Sequence, residues 1–353
     1  MISTVLGEIE AAELGVASMH EHVLADASAL QRTGVELLDP AQPVTAELAG
    51  ALRWGQLALE DNLRLEDVAV AAEELAHAAR GGQRAVVEAT SLGLGPDHGR
   101  LPGISRATGL HVVACYGAYL GGGIPAWYRE LDENGRERLF AAALADAIPG
   151  TDFRAGMLGI MGTTDAFTGV AGVDERASLR AAARAAAAHG AAVSIRLDPG
   201  RRNGLAVLAA VEAAGLPAAR VVLANVDEYA DPGYLAELGA AGAVLEMCFG
   251  GEGGHLGRVR NTPDFARLDA LVGLLADAPE IRWVLGTSLW TKAQYRRFGG
   301  PGYDHLVARV IPGLRSLGVD AETLARLTVT EPARVLDRGR ASAPSARPQE
   351  THP

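Results

Sequence analysis

Two histidines separated by one residue, His20 and His22, lie at the end of a short apolar run near the N-terminus. In an extended strand alternate side chains share a face, so the two imidazoles would lie side by side while Glu21 points the other way. Adjacent imidazoles can bind a metal ion or transfer protons, and they would be costly to bury merely as part of an apolar core. The pair is therefore the first candidate for a functional site.

The elements that position this pair can be followed along the rest of the chain. Eight short apolar runs alternate with longer stretches in which apolar residues recur at intervals of three and four. The first pattern indicates strands and the second indicates helices. The predicted strands are residues 16–22, 85–90, 110–116, 155–162, 192–196, 221–225, 243–248 and 281–285, and helices are expected within 45–80, 175–189 and 265–276.

This alternation predicts the fold class. Apolar strands separated by helices are typical of a parallel sheet buried on both faces, and eight such units in 353 residues favour a single α/β domain, a (β/α)8 TIM barrel. An open, doubly wound sheet is the alternative, but it needs a glycine-rich phosphate loop after the first strand. Gly93-Leu94-Gly95 follows the second strand instead and lacks the third glycine. We therefore expect one domain over residues 1–337, followed by a polar, disordered tail at 338–353.

Composition excludes several classes of function. The formal net charge of −11 argues against a nucleic-acid or anionic-membrane partner. No run of about 18 apolar residues is present, and the N-terminus does not resemble a signal peptide, which predicts a cytoplasmic protein. The two cysteines, Cys115 and Cys248, lie in separate apolar runs, so we expect buried thiols and no disulfide framework.

In a TIM barrel the active site lies where the C-terminal ends of the strands meet. A single polar residue at a strand end often caps a loop, so only a cluster of them would indicate a site. Trp290 follows the last strand and could cover an organic ligand. The polar residues at the predicted strand ends are His20, His22, Glu88, Thr90, Cys115, Tyr116, Arg196, Asn225, Asp227, Glu246, Cys248, Thr287 and Ser288.

Several motifs, taken together, resemble the phosphotriesterase-like branch of the amidohydrolase superfamily. The resemblance runs from about residue 2 to 337 and implies the same barrel, with a homodimer as a reasonable expectation. The motifs are Thr4-Val5-Leu6-Gly7, His20-Glu21-His22, Val87-Glu88-Ala89-Thr90-Ser91-Leu92-Gly93-Leu94-Gly95, Ala155-Gly156, Leu179-Arg180-Ala181-Ala182-Ala183-Arg184-Ala185, Gly302-Tyr303-Asp304-His305 and Glu331-Pro332-Ala333-Arg334.

The resemblance implies a two-metal hydrolase whose ions activate a bridging water. Its ligands would be an H-x-H pair on strand one, a carboxylated lysine or glutamate on strand four, histidines on strands five and six, and an aspartate on strand eight. In this sequence only His20 and His22 match. The other positions are occupied by Gly159 or Ile160, Arg196, Asn225 and Ser288.

These replacements predict that the two-metal centre has been lost. A missing bridging anion and an added Arg196 cation both disfavour two nearby dications, and two histidines fall short of the three protein ligands usual for catalytic zinc. We therefore expect no cofactor. The alternative is one weakly bound zinc on His20 and His22, with Glu88 or Asp227 as a third ligand.

Three functional hypotheses follow. The first is a metal-independent enzyme that carries out elimination, isomerisation or cyclisation on a small, anionic organic substrate. Its proton-transfer residues would be His20, His22 and Asp227, and Arg196 would bind a substrate carboxylate or phosphate while its charge keeps an imidazole neutral. Asn225, Ser288, Glu88, Tyr116 and Trp290 are the further predicted substrate-binding residues.

The second hypothesis is a mono-zinc hydrolase of an ester, lactone or phosphotriester, and the third is a catalytically dead binding protein. Random loss of function would leave small or apolar residues at the former ligand positions. Arginine, asparagine and serine all form hydrogen bonds, and this favours the first hypothesis.

Overall fold

All eight predicted strands are present in the structure, a computed structural model that describes residues 1–120, 123–228, 231–251 and 253–339. Each strand is short and fully or almost fully buried. The predicted tail lies outside the described residues from residue 340 onward. The strands are β1 Ala17–Glu21, β2 Ala85–Glu88, β3 His111–Tyr116, β4 Met157–Gly162, β5 Val193–Arg196, β6 Val221–Ala224, β7 Val244–Cys248 and β8 Arg282–Gly286.

The eight strands form one parallel sheet in which each strand pairs with its neighbour in the sequence. The two outer strands meet at their C-terminal ends, because Ser288 N–H donates to the His20 carbonyl at 2.8 Å and His22 N–H donates to the Leu289 carbonyl at 3.0 Å. The sheet is thus nearly closed as a TIM barrel. The predicted fold class is confirmed, and the open-sheet alternative is wrong.

The helices expected from the apolar periodicity are present, together with others that were not predicted. The expected helices at 175–189 and 265–276 are α6 and α9, and the stretch 45–80 contains a short and a longer helix. The helices are α1 Ala49–Trp54, α2 Val68–Arg80, α3 Leu101–Thr108, α4 Ala126–Arg129, α5 Glu133–Ala145, α6 Val173–His189, α7 Gly204–Ala213, α8 Pro232–Ala240, α9 Asp264–Asp277, α10 Ile311–Ser316, α11 Ala321–Ala325 and α12 Glu331–Leu336. None of the described helices is long and apolar enough to cross a bilayer.

The apolar core has two layers. A large cluster fills the space between sheet and helices. A smaller cluster collects residues from around the sheet, such as Met19, Val87, Val222 and Val284, and therefore lies inside the barrel. Ile2, Leu14, Val335 and Leu336 belong to the same cluster, which is formed by strand starts and chain ends. The bottom of the barrel is thus filled, and space is left at its C-terminal end.

Two small pairs of antiparallel strands contribute to the loops that surround this end. Ala25–Asp26 pairs with Arg64–Leu65, and Gly254–His255 pairs with Val259–Arg260. A backbone bridge also joins Gly55 to His255. The loops after β1 and β7 are therefore connected to each other above the barrel.

Candidate active site

A cavity of about 450 Å³ opens at the C-terminal ends of the strands. It has the size typical of a small-molecule site. Seven of the nine predicted site residues line it, and Glu88 and Tyr116 do not. The seven are His20, His22, Arg196, Asn225, Asp227, Ser288 and Trp290.

The two histidines of β1 face each other across 3.3 Å, measured between their Nε2 atoms. His20 Nδ1–H donates to the Glu246 carboxylate at 2.7 Å, and His22 Nδ1 lies 2.9 Å from the Thr90 hydroxyl oxygen. A carboxylate can only accept, so the proton on His20 Nδ1 is fixed. Two Nε2 lone pairs at this distance would repel each other, and a proton on one of them removes the repulsion.

The two imidazoles differ in their affinity for that proton. Burial lowers the pKa of His20, but the charge and hydrogen bond of Glu246 outweigh burial, so the pKa of His20 is raised above its usual value. Burial and the nearby His20 charge both hold the pKa of His22 well below its usual value. Of the two imidazoles, His20 is therefore the one that binds the shared Nε2 proton more strongly, and His22 is the one that stays neutral more readily.

Glu21 points away from the histidine pair, as predicted, and joins β1 to β8. Its carboxylate oxygens accept from the Thr287 hydroxyl at 2.6 and 2.7 Å and from Leu289 N–H at 3.3 Å. Burial raises the pKa of Glu21 to about 7, although the hydrogen bonds of Ser18 and Thr287 oppose it. The strand that carries the histidines is thereby held against the strand end that carries Ser288.

Asp227 lines the cavity and is part of a buried ion-pair network. Its Oδ1 accepts from Cys248 N–H at 2.9 Å, and its Oδ2 lies 2.7 Å from the Arg267 guanidinium. Arg267 also pairs with Asp264 at 2.8 Å, and Asp264 accepts from His305 Nε2 at 2.7 Å. Burial raises the pKa of Asp227 to about 6, while the Arg267 charge opposes the rise. Asp227 is thus a carboxylate that already accepts from two donors. Its predicted catalytic role stays a prediction.

Arg196 faces the cavity from the end of β5 and is paired with Glu228. Its Nη2 lies 2.6 and 2.8 Å from the two Glu228 oxygens, and its guanidinium lies 6.0 Å from the centre of the Tyr119 ring. The expectation that Arg196 keeps an imidazole neutral is wrong, because the low pKa of His22 results from burial and from His20. Its predicted role in binding a substrate anion stays a prediction.

Asn225 and Ser288 both have left-handed backbones, with φ angles of 54° and 48°. Residues other than glycine rarely adopt this conformation, which costs on the order of 1 kcal/mol or more. Each lies directly after a strand, at β6 and β8, and each lines the cavity. The strained turns thus bring two residues with neutral hydrogen-bonding side chains into the lining of the cavity that also contains the histidine pair.

Glu88 and Tyr116 lie outside the cavity, so their expected place in its lining is wrong. Glu88 caps two backbone amides, those of Val23 and Thr90, and burial raises its pKa to about 7. Tyr116 packs against His98 and Phe140 in the layer between sheet and helices. Its neighbour Cys115 points into the barrel, as does Val113 of the same strand.

The residues of the cavity do not fit a two-metal centre. Gly159 carries no ligand, and a Cβ atom there would lie 2.6 Å from the Ser194 carbonyl oxygen. Ile160, the next residue, presents an apolar side chain. The space beside them contains the Arg196–Glu228 ion pair, whose guanidinium would repel a metal ion. No described residue of β4 can therefore bridge two cations.

A single ion would find two ligands here and lack a third. The 3.3 Å between the Nε2 atoms matches the spacing of two nitrogens about 2.05 Å from a tetrahedral zinc. Among the described residues, the one group of three with ligand atoms within 4.8 Å is His20, Glu246 and Cys248. Glu246 and Cys248, however, lie at Nδ1 of His20, on the side away from His22. The described residues thus provide half of a zinc site.

The most important residue without a predicted role is Glu246. It was recognisable only as a single carboxylate within the apolar run of β7, two residues before Cys248. Its pairing with His20 could not be inferred from one strand end. Arg267 gave even less signal, because it lies in α9 and reaches Asp227 from outside the sheet.

The model of the phosphotriesterase family matches residues 1–336 of the chain. The chain belongs to the phosphotriesterase family. An N-acetyltaurine hydrolase from Tetraodon nigroviridis is 28% identical over 343 residues, covering 94% of this chain and 96% of that protein. The N-acetyltaurine hydrolase of Homo sapiens is 25% identical over 339 residues, with coverage of 94% and 96%. The resemblance inferred from the sequence motifs is thus confirmed over nearly the whole chain.

A solved relative has closely similar architecture. The crystal structure of a resiniferatoxin-binding protein from Rhodobacter sphaeroides is 31% identical, has a TM-score of 0.90, and covers 95% of this chain and 94% of its own. This chain is therefore a divergent member of a family that includes proteins named as hydrolases.

Proposed function

We propose that this phosphotriesterase-family protein is an acid–base catalyst that transfers protons on a small organic substrate through His20 and His22, without a two-metal centre. The observation that carries the proposal is the pair itself: two imidazoles 3.3 Å apart whose pKa values are moved in opposite directions by their surroundings. A pair of titratable groups separated in this way supplies one acid and one base at the same pH.

The protonation states assign the roles. His22 is neutral and presents the Nε2 lone pair, so it is the general base. His20 carries Nε2–H and is stabilised as an imidazolium by Glu246, so it is the general acid. A substrate entering between them would replace the long His20–His22 contact with two new ones.

The reaction class that suits this arrangement begins at a carbon next to a carbonyl group. His22 Nε2 accepts the C–H proton while His20 Nε2–H donates to the carbonyl oxygen, which gives an enol and moves the positive charge from His20 to His22. Return of a proton at a different atom gives an isomer, and loss of a group from the neighbouring carbon gives an elimination product. Asn225 and Ser288 also line the cavity, and in this proposal they donate hydrogen bonds to the oxygen of the developing enol.

The test is hydrogen–deuterium exchange on carbon. Chelator-treated protein in D2O would be mixed with a panel of small 2-oxo acids and 3-oxo acids, and deuterium uptake at the carbon next to the carbonyl would be followed by NMR. Exchange reports proton abstraction even where no net product accumulates. We expect uptake that survives the chelator, disappears in His22→Gln and falls strongly in His20→Gln.

The matched control is His189→Gln, in the last turn of α6 and far from the cavity. It should exchange like the wild type. Metal content would be measured on the same preparations, purified without chelator, and we expect less than one equivalent of transition metal. Exchange that is absent in the wild type, or that is equal in His22→Gln, would overturn the proposal in favour of a binding protein.

A second candidate function is amide or ester hydrolysis with one bound zinc. Two observations favour it: the N-acetyltaurine hydrolases that match this chain, and the spacing of the two Nε2 atoms. This candidate predicts about one equivalent of zinc, hydrolysis of an N-acyl amino acid or amino sulfonate, and loss of activity with chelator. That combination of results would replace the acid–base proposal.

A further inference from the structure

Four arginines and three carboxylates line the cavity among the described residues. Two of these arginines are already neutralised by carboxylates. Arg196 pairs with Glu228, and Arg267 pairs with Asp227 and Asp264. Neither guanidinium has its full charge available for an incoming anion.

The other two arginines, Arg32 and Arg258, differ in their surroundings. Arg32 donates to the backbone carbonyls of Ala29 and Gln31, which carry no net charge. No described residue forms an ion pair or side-chain hydrogen bond with Arg258. Both side chains are exposed at the entrance and still contribute to the cavity lining. Among the described residues of the lining, they are the two arginines without a carboxylate partner.

The loops that carry these two arginines are joined through the buried side chain of His255. Its Nε2 lies 3.1 Å from the Thr33 carbonyl oxygen, and its Nδ1 accepts from Leu57 N–H at 3.2 Å. Arg32 N–H in turn donates to the Leu57 carbonyl at 2.9 Å, and Arg258 N–H donates to the His255 carbonyl at 2.9 Å. The backbone of Arg258 is thus hydrogen-bonded to His255 directly, and the backbone of Arg32 is linked to it through Leu57. Both arginines are therefore held on the same rim of the cavity.

The wall below this rim is apolar. Leu57 and Leu94 are buried there and pack with Trp290 and Tyr119, and all four line the cavity. A ligand that reaches from the rim to the histidine pair would therefore cross an apolar section. Among the described residues, the Arg32 and Arg258 guanidinium groups have no carboxylate partner, so at the entrance they favour an anionic ligand over a cationic one.

We infer that Arg32 and Arg258 form an oxyanion-recognition rim, which selects amphipathic organic anions: molecules with a carboxylate or sulfonate at one end and an apolar segment leading to the reacting group. The inference rests on the proposed function only in placing the reacting group at the histidine pair. The guanidinium forks bind the oxygens at the entrance, and Leu57, Leu94 and Trp290 contact the apolar segment.

The experiment measures binding and not turnover. Hexanoate, 1-hexanesulfonate and the neutral hexanamide would be titrated into the protein, and dissociation constants would be read from NMR shift changes. The wild type should bind both anions more tightly than the amide. This preference should become smaller at high salt, because salt screens the charges of the guanidinium groups. Arg32→Ala and Arg258→Ala should each weaken binding of the anions by up to about fivefold and leave hexanamide within about twofold, as expected for exposed charge contacts.

The matched control is Arg260→Ala, in the same hairpin as Arg258, exposed and outside the cavity lining. It should bind all three probes like the wild type. Equal loss of hexanamide affinity in the rim variants, equal losses in Arg260→Ala, or a wild type without preference for the anions would each overturn the inference. Weakening of one anion alone would assign the rim to that headgroup.

The result is separable from the acid–base proposal. His22→Gln should retain the preference for anions, because its side chain is not part of the rim. If the preference is found and no exchange activity exists, only the proposed function fails. If exchange is found and the rim variants bind normally, only the rim fails.

Discussion

Replacing Glu246 by glutamine tests the protonation of the histidine pair most directly. The glutamine oxygen can still accept from His20 Nδ1, so the shape of the contact is kept while the negative charge is removed. Without that charge, burial is the main remaining effect on His20, and it lowers the pKa. His20 should then be neutral near pH 7 and lose its function as an acid.

The size of the effect follows from the bond that is weakened. A hydrogen bond to a charged group contributes roughly 1.5–3 kcal/mol, so proton transfer from His20 at fixed pH should slow by about 10- to 150-fold.

The stability of the fold should change as well. Because the pKa of His20 is raised on folding, its protonation stabilises the wild type below the ordinary value of 6.5, and this contribution is lost as the pH rises through the raised value. In the variant the sign reverses, and stability falls as the pH is lowered.

Two measurements check this prediction. Long-range 1H–15N NMR, assigned with His20→Gln, would follow the protonation of the His20 ring in the wild type and in Glu246→Gln. Urea unfolding over a series of pH values would give the stability difference, with the exposed Glu280→Gln as control. If His20 titrates identically in the wild type and in Glu246→Gln, the charge of Glu246 does not set the acid, and the assignment of roles is wrong.

Two further predictions concern the frame of the site. Gly159→Ala places a Cβ atom 2.6 Å from a backbone oxygen at a φ of +128°, so it should destabilise the fold by about 1–3 kcal/mol. Its control is Gly103→Ala, which has open space around the new Cβ atom and should stabilise the fold by up to about 1 kcal/mol. Urea unfolding measures both changes. Arg267→Met leaves Asp227 buried without its cation and should cost about 3–5 kcal/mol, and the surface variant Arg297→Met should stay within about 1 kcal/mol in the same assay.

The strands and the fold were predictable because the relevant signals are local. Apolar runs and helical periodicity lie within short segments, and parallel connectivity brings the strand ends together whatever the loops do. For this reason His20, His22, Arg196, Asn225 and Ser288 could be assigned to one cavity from their positions at strand ends. The prediction needed no knowledge of side-chain contacts.

The errors have a physical reason too. Both faces of a barrel strand are buried, so the sequence around Tyr116 offers no polar face that would distinguish the interior from the helix layer. Tyr116 and Cys115 were equally plausible, and Cys115 points inward. The partners of His20 and Asp227 are harder still to predict, because Glu246 and Arg267 are distant in sequence and meet them only after the barrel closes.

The four positions that differ from the two-metal pattern are integrated into the surrounding structure, and this bears on whether the site is functional. A side chain at position 159 would collide with Ser194 of β5. Glycine therefore allows β4 to pack closely against β5. The charge of Arg196 is balanced by Glu228. Asn225 and Ser288 retain strained backbones, although glycine at either position would relieve the strain.

A pocket that had merely lost its function would have no reason to retain that strain or to bury a compensated charge. Left-handed asparagine and serine at two strand ends are costly features that persist where the side chain is needed. Both line the cavity that also contains the His20–His22 pair. The retained strain therefore supports a working site over a degenerate one, and it makes the exchange experiment on His22→Gln the decisive comparison between an enzyme and a binding protein.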